Sequence, residues 1–155
     1  MFVRLANLHD ARDAAWVVEL LDIYSQDEFG DGAPLSPQAR ENLIPGLIQH
    51  GGARVFLAFV DGLEEPQGIA ICLIGFSSFR GAPLLNIHDL AVSPETRGRG
   101  LGKLLLNAVE QEARALGCCR VTLEVRSDNT RAQQLYRAVG FEADQPETWF
   151  WKKHL

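Results

Sequence analysis

The sequence is poor in the residues that build disulfide or metal frameworks. Its three cysteines include the adjacent pair Cys118 and Cys119, an odd and partly vicinal set that makes a poor disulfide framework. Reduced thiols acting as small hydrophobes are expected, and with them a cytoplasmic location. His9, His50, His88 and His154 are scattered without a C-x-x-C, H-x-x-x-H or H-E-x-x-H spacing, so no metal site is expected. The longest apolar runs, Val55 to Val60 and Ile69 to Ile74, fall far short of the roughly 20 residues that a membrane span needs. Met1 to Leu5 leads to Asp10, Arg12 and Asp13 without the apolar stretch of a signal peptide. Positive charge is in deficit, 15 Lys and Arg against 20 Asp and Glu, for a formal net charge of -5. That balance lacks the basic footprint of a nucleic-acid binder and is compatible with a cationic partner. Internal repeats, low-complexity tracts and long linkers are absent too.

What is present suits one domain over residues 1–155. A chain of 155 residues with 46% hydrophobic content buries roughly 70% of its unfolded surface around one core. A short strand at Phe2 to Leu5 precedes a helix over Asp10 to Ser25, with Ala14, Val17, Val18, Leu21 and Tyr24 on its apolar side. An acidic, turn-rich stretch from Gln26 to Pro34 follows, and Ser36-Pro37 opens a second helix that Pro45 is expected to interrupt. Strands are expected at Arg54 to Val60, Gln67 to Phe76 and Leu84 to Val92. A helix over Gly98 to Leu116 buries Leu101, Leu105, Ala108, Val109 and Ala113, pairs Glu110 with Arg114 and ends on Gly117. Arg120 to Arg126 alternates as a half-buried strand, a helix runs from Asp128 or Asn129 to Ala138, and Phe141-Glu142 and Glu147 to Lys153 supply final strands. The order is mixed α/β and not a regular βα alternation, which disfavours a doubly wound nucleotide fold.

The most informative stretch is Leu90-Ala91-Val92-Ser93-Pro94-Glu95-Thr96-Arg97-Gly98-Arg99-Gly100-Leu101-Gly102-Lys103. An apolar strand turns there into a glycine-rich helix start. Free N–H groups and the positive end of the helix dipole favour an anion at such a place, and glycine lets a phosphate approach the backbone. Arg97, Arg99 and Lys103 add positive charge. The pattern is not a P-loop, because Lys103 is followed by Leu104, and it lacks the early βαβ setting of a dinucleotide fingerprint.

This stretch resembles the GNAT superfamily of N-acetyltransferases, whose pyrophosphate motif Q/R-x-x-G-x-G/A is matched by Arg97, Gly100 and Gly102. Asn129-Thr130-Arg131-Ala132-Gln133-Gln134-Leu135-Tyr136-Arg137-Ala138-Val139-Gly140-Phe141 is similar to the family's second signature, N-x-x-A-x-x-L/F-Y-x-x-x-G-F. The resemblance implies a central mixed, mostly antiparallel twisted sheet flanked by helices and splayed between its fourth and fifth strands. It also implies acetyl-CoA as co-substrate, with Leu90, Ala91 and Val92 along the pantetheine arm. Arg97, Gly98, Arg99, Gly100, Leu101, Gly102 and Lys103 then wrap the pyrophosphate, and Asn129 contacts the arm.

Transfer of acetyl from a thioester to an amine needs a proton for the departing sulfur and a base for the ammonium. Tyr136 matches the family's tyrosine and is the candidate general acid, since a phenol of reference pKa about 10 stays protonated at neutral pH. His88 stands where the family often has glutamate and is the first candidate base, ahead of Asp89 and Glu124; deprotonation assisted by solvent is the alternative. Strand alternation puts His88 and Asp89 on opposite faces. Asp27, Glu28 and Asp31 are candidates for recognising a cationic acceptor. Trp149, Phe150 and Trp151 suit sheet packing, an acceptor wall or the edge of a homodimer. A primary amine on a small molecule is the leading acceptor; a protein or peptide amine, or a non-catalytic acyl-CoA sensor, is the alternative.

Overall fold

The computed structural model describes residues 1–144, 146 and 148–153. Five strands form one sheet in sequence order: β1 (Phe2–Leu5), β2 (Ala53–Phe59), β3 (Gly68–Ser77), β4 (Ala82–Val92) and β5 (Val121–Leu123). The first four are antiparallel neighbours, and β5 lies parallel to β4. Helices α1 (Ala11–Ser25) and α2 (Pro37–His50) separate β1 from β2, α3 (Leu101–Ala115) crosses from β4 to β5, and α4 (Thr130–Ala138) follows. This is the mixed α/β architecture expected.

The unbroken apolar runs of β2 and β3 exist because both faces of the sheet are covered. Phe56, Ala58, Ala70, Cys72, Leu85 and Ile87 meet Leu101, Leu105, Leu106, Val109 and Ala113 of α3. On the opposite face Val55, Leu57, Phe59, Ile69 and Ile71 meet Val17 and Leu20 of α1, with Leu43, Ile44 and Leu47 of α2 alongside. The buried line of α1 is therefore Asp13, Val17 and Leu20, one step round from the face expected.

Four further expectations need correction. Helix α2 runs through Pro45 without a break. Pro45 and Glu41 are both exposed, so the carbonyl that proline leaves without a donor can turn to water. Helix α3 begins at Leu101, not Gly98, because Gly98 and Gly100 adopt φ of 81° and 92°, outside the helical region. β5 is three residues long and not seven. No described residue from 141 onward is in a strand, and Trp149, Phe150 and Trp151 are 72%, 67% and 84% exposed. A run of aromatics becomes a strand only where a neighbour supplies hydrogen bonds, and β5 is too short a template. Glu147 lies outside the described residues.

Strand β4 contains the feature that sets up the site. Cys72 pairs with Ile87 and Ile71 with Asp89, so His88 is an extra residue, a β-bulge. The bulge resets the alternation: Leu85 and Ile87 before it, and Leu90 and Val92 after it, all pack toward α3.

β1 is fastened to α1 by a buried carboxylate. Asp13, 4% exposed, accepts from Arg4 Nη1 and Nη2 at 2.6 and 2.7 Å and from the Asn7 backbone N–H at 2.8 Å. The Arg4 hydrogen bonds hold its carboxyl below the ordinary range. A depressed folded value means that the stabilisation is present above the unfolded pKa and is lost as pH falls through the folded one. Asp13→Ala should cost about 1–3 kcal/mol at neutral pH, allowing for the partly exposed Arg4. The deficit should shrink below about pH 4. Urea denaturation at both ends of the range measures it, and an equal deficit at each would remove the ion pair from the account.

Candidate active site

Among the described residues, three of the four α-helices begin on a side-chain cap. Asp10 accepts from the N–H groups of Arg12 and Asp13, Ser36 from Ala39, and Asn129 from Ala132. Helix α3 begins on Gly100, which has no side chain to do this. Its first internal bond is from Leu104 N–H to the Gly100 carbonyl at 3.0 Å, which leaves the N–H groups of Leu101, Gly102 and Lys103 without an intrahelical acceptor. Ahead of it, Ser93 N–H donates to the Gln67 carbonyl, and a 3-10 turn at Pro94–Thr96 is closed by the buried Thr96 hydroxyl donating to the Ser93 carbonyl.

The glycines of this loop differ in their reasons. A Cβ on Gly98 or Gly100 would meet nothing within 4 Å, so positive φ is what demands glycine there. A Cβ on Gly102 would lie 2.9 Å from Leu135 Cδ2, so this glycine lets α3 and α4 touch.

Helix α4 explains the second motif in the same terms. Asn129 caps its start. At its end Gly140, with φ of 93°, turns the chain so that Gly140 N–H donates to the Arg137 carbonyl and Phe141 N–H to that of Tyr136. This is a Schellman closure, and its hydrophobic contact is Tyr136 against Phe141, with ring centroids 5.9 Å apart. The motif thus fixes the tyrosine's backbone and one side of its ring.

A cleft of about 520 Å³ opens where β5 stops following β4. Their ladder runs only from Leu85 and Val121 to Ile87 and Leu123. Beyond it, Leu90, Ala91 and Val92 line one wall, and Glu124, Val125 and Arg126 another. Arg97, Gly98, Gly100, Leu101, Gly102 and Lys103 bring the open end of α3 into the cleft, and Asn129, Leu135 and Tyr136 come from α4 and its cap. Asp27, Glu28 and Phe29 enter from the turn after α1.

Of the residues singled out from sequence, Arg99, Asp31, His88 and Asp89 do not line this cleft. His88 is exposed at the bulge, while Asp89 shares the α1 face with Ile71. Burial pushes the Asp89 carboxyl up, against the opposing influence of His88. Arg97 is not free: its Nε donates to the Val92 carbonyl at 3.0 Å and its Nη2 to Asp27 Oδ2 at 2.5 Å.

Tyr24, placed by periodicity among the apolar residues of α1, is a cleft residue that the sequence hid. Burial raises its phenol, with Asp89 adding to the shift. Burial also pushes Tyr136 up to about 12, with Tyr24 contributing. The chain has two tyrosines, and both are here. Nothing in the sequence separates Tyr24 from the apolar residues of α1, because the cleft that unites the two forms only on folding.

An uncapped glycine-rich helix start, a β4–β5 ladder that ends early and a half-buried tyrosine thus meet at one cleft. The chain belongs to the acetyltransferase (GNAT) family, whose model matches residues 17–141. A thialysine N-epsilon-acetyltransferase from Bos taurus is 35% identical over 83 residues, 49% of this chain and 47% of that protein. An uncharacterized Mycobacterium leprae protein is 48% identical over 56 residues, 36% of this chain and 15% of its own length. The matches therefore span half or less of these relatives. Among solved structures, a probable acetyltransferase superimposes with a TM-score of 0.84 over 100% of this chain and 99% of its own, at 21% identity, a likeness of fold.

Because both phenols are raised, the folded chain should hold their protons at about pH 10, where a free tyrosine is half ionised. Near-ultraviolet titration should show tyrosinate appearing late, together with alkaline unfolding. Folded values above the unfolded one mean that stability falls as pH rises through this range. An ordinary midpoint in an intact fold would contradict the burial of the two rings.

Proposed function

We propose that this chain transfers an acetyl group from acetyl-CoA to a primary amine by direct attack within a ternary complex. The observation that carries the reading is the uncapped start of α3, whose free N–H groups and Lys103 border the same cleft as Tyr136. Acetyl-CoA, when bound, supplies a thioester-activated acetyl carbon to the amine nitrogen and leaves as the thiol. The backbone of Leu90 and the N–H of Val92, without a neighbouring strand on that side, have hydrogen-bonding capacity for the pantetheine arm, and Ala91 between them pairs with Ile69 of β3. The splay between β4 and β5 belongs to this reading and is supported by the early end of their ladder.

Tyr136 supplies the proton for the departing sulfur. Its phenol is neutral at pH 7 already at the reference pKa of about 10, and burial favours that neutral form further. For the ammonium proton, water beside Glu28 and Glu124 is favoured over His88 and Asp89, because the two glutamates line the cleft. Three carboxylates at the cleft, Asp27, Glu28 and Glu124, favour a cationic acceptor. The name of the bovine relative, a thialysine N-epsilon-acetyltransferase, favours a small amine.

Calorimetry should show acetyl-CoA binding that Lys103→Glu weakens by about tenfold or more. Lys103 is the cleaner probe, because any side chain at Gly100 is strained at its φ of 92°. Against a panel of primary amines, Tyr136→Phe should lower kcat by about 10²–10⁴ with little change in acetyl-CoA affinity. Binding without amine-dependent release of CoA by the unmutated chain would instead mark a sensor.

A further inference from the structure

The acidic turn after α1 and the arginine that opens the glycine loop stand 70 positions apart, yet their side chains are joined. Arg97 Nη2 meets Asp27 Oδ2 at 2.5 Å, with the side chains 31% and 14% exposed. The other Asp27 oxygen accepts from the Phe29 backbone N–H at 3.3 Å, and the Arg126 guanidinium lies 5.8 Å from the centre of the Phe29 ring. One carboxylate therefore ties the turn to the loop before α3. Burial works against the charged Asp27, but the Arg97 hydrogen bond holds its carboxyl below the usual range. A pyrophosphate at the start of α3 is a second anion competing for this guanidinium, and it brings more charge than one carboxylate.

We propose that the Asp27–Arg97 ion pair is a latch across the cleft, which the pyrophosphate of acetyl-CoA opens by drawing off Arg97, and that the released Asp27 receives the ammonium group of the acceptor. This rests on the reading of the glycine loop as the pyrophosphate site. The exchange moves no covalent bond: one charge-assisted hydrogen bond replaces another on the same guanidinium. Before the donor binds, Arg97 neutralises Asp27 and an incoming ammonium finds that contact occupied. After it binds, the acceptor meets an unpaired carboxylate. Reciprocity then requires a cationic acceptor to raise the affinity for acetyl-CoA in turn.

The test is calorimetric titration of acetyl-CoA into the unmutated chain, Asp27→Asn, Arg97→Gln and the double variant. Removing the competing carboxylate should tighten acetyl-CoA binding by about tenfold, and that gain should vanish when Arg97 is absent. Asp27→Asn binding no tighter, or gaining as much without Arg97, overturns the latch. Should Asp27→Asn fail to fold, the carbon-13 signal of the Asp27 carboxyl in the labelled, unmutated chain decides: it moves on saturation with acetyl-CoA if the pair opens, and stays if the latch is wrong. An unmutated chain that does not bind acetyl-CoA sinks the cofactor site itself, and the latch with it, a result distinct from either of the others.

Discussion

Strand β4 extends over eleven residues, while β5 accompanies it for three. A strand's backbone groups need partners, and those of Asp89 to Val92 on the β5 side have none within the sheet. Most of the site follows from this imbalance. The chain leaves β4 through a tight turn, enters α3 without a side-chain cap, and returns as a β5 too short to close the gap. A cleft with backbone free of a neighbouring strand on one wall and open helix N–H groups at one end is the geometric remainder.

The bulge at His88 makes that remainder compatible with a packed core. Were His88 an ordinary ladder residue and not a bulge, Ile87 and Asp89 would share a face, and a carboxylate would point at α3 among Leu101, Leu105 and Val109. With the bulge, Leu90 and Val92 keep the α3 side greasy and Asp89 turns toward α1. There the carboxylate lies near Tyr24 and adds to the rise that burial gives its phenol.

What the sequence made legible was local. A glycine-rich loop, an asparagine cap and a terminal glycine closure each leave a residue type at a fixed offset, so the loop before α3 and the ends of α4 are legible, while the positive φ of Gly98 and Gly100, which delays α3 to Leu101, is not. The cores of β2 and β3 were legible for a similar reason, since unbroken apolar runs need cover on both faces. The bulge was hidden because one extra residue changes no composition, and it altered which side His88 and Asp89 serve. The Asp27–Arg97 pair was hidden by its separation along the chain. Hydrophobicity in the Trp149-Phe150-Trp151 run supplies no strand to pair with, and Pro45 does not break α2, because the carbonyl it leaves without a donor faces solvent.

The contact between Gly102 and Leu135 sets how closely the two helices approach. They touch through an absent side chain and a large one, and so share a single volume divided between two distant positions. A methyl at 102 would meet only the far end of the Leu135 side chain, which can swing aside, whereas a branched side chain there would press on α4 and the tyrosine it carries. The spacing that the cleft inherits is thus a joint property of both positions.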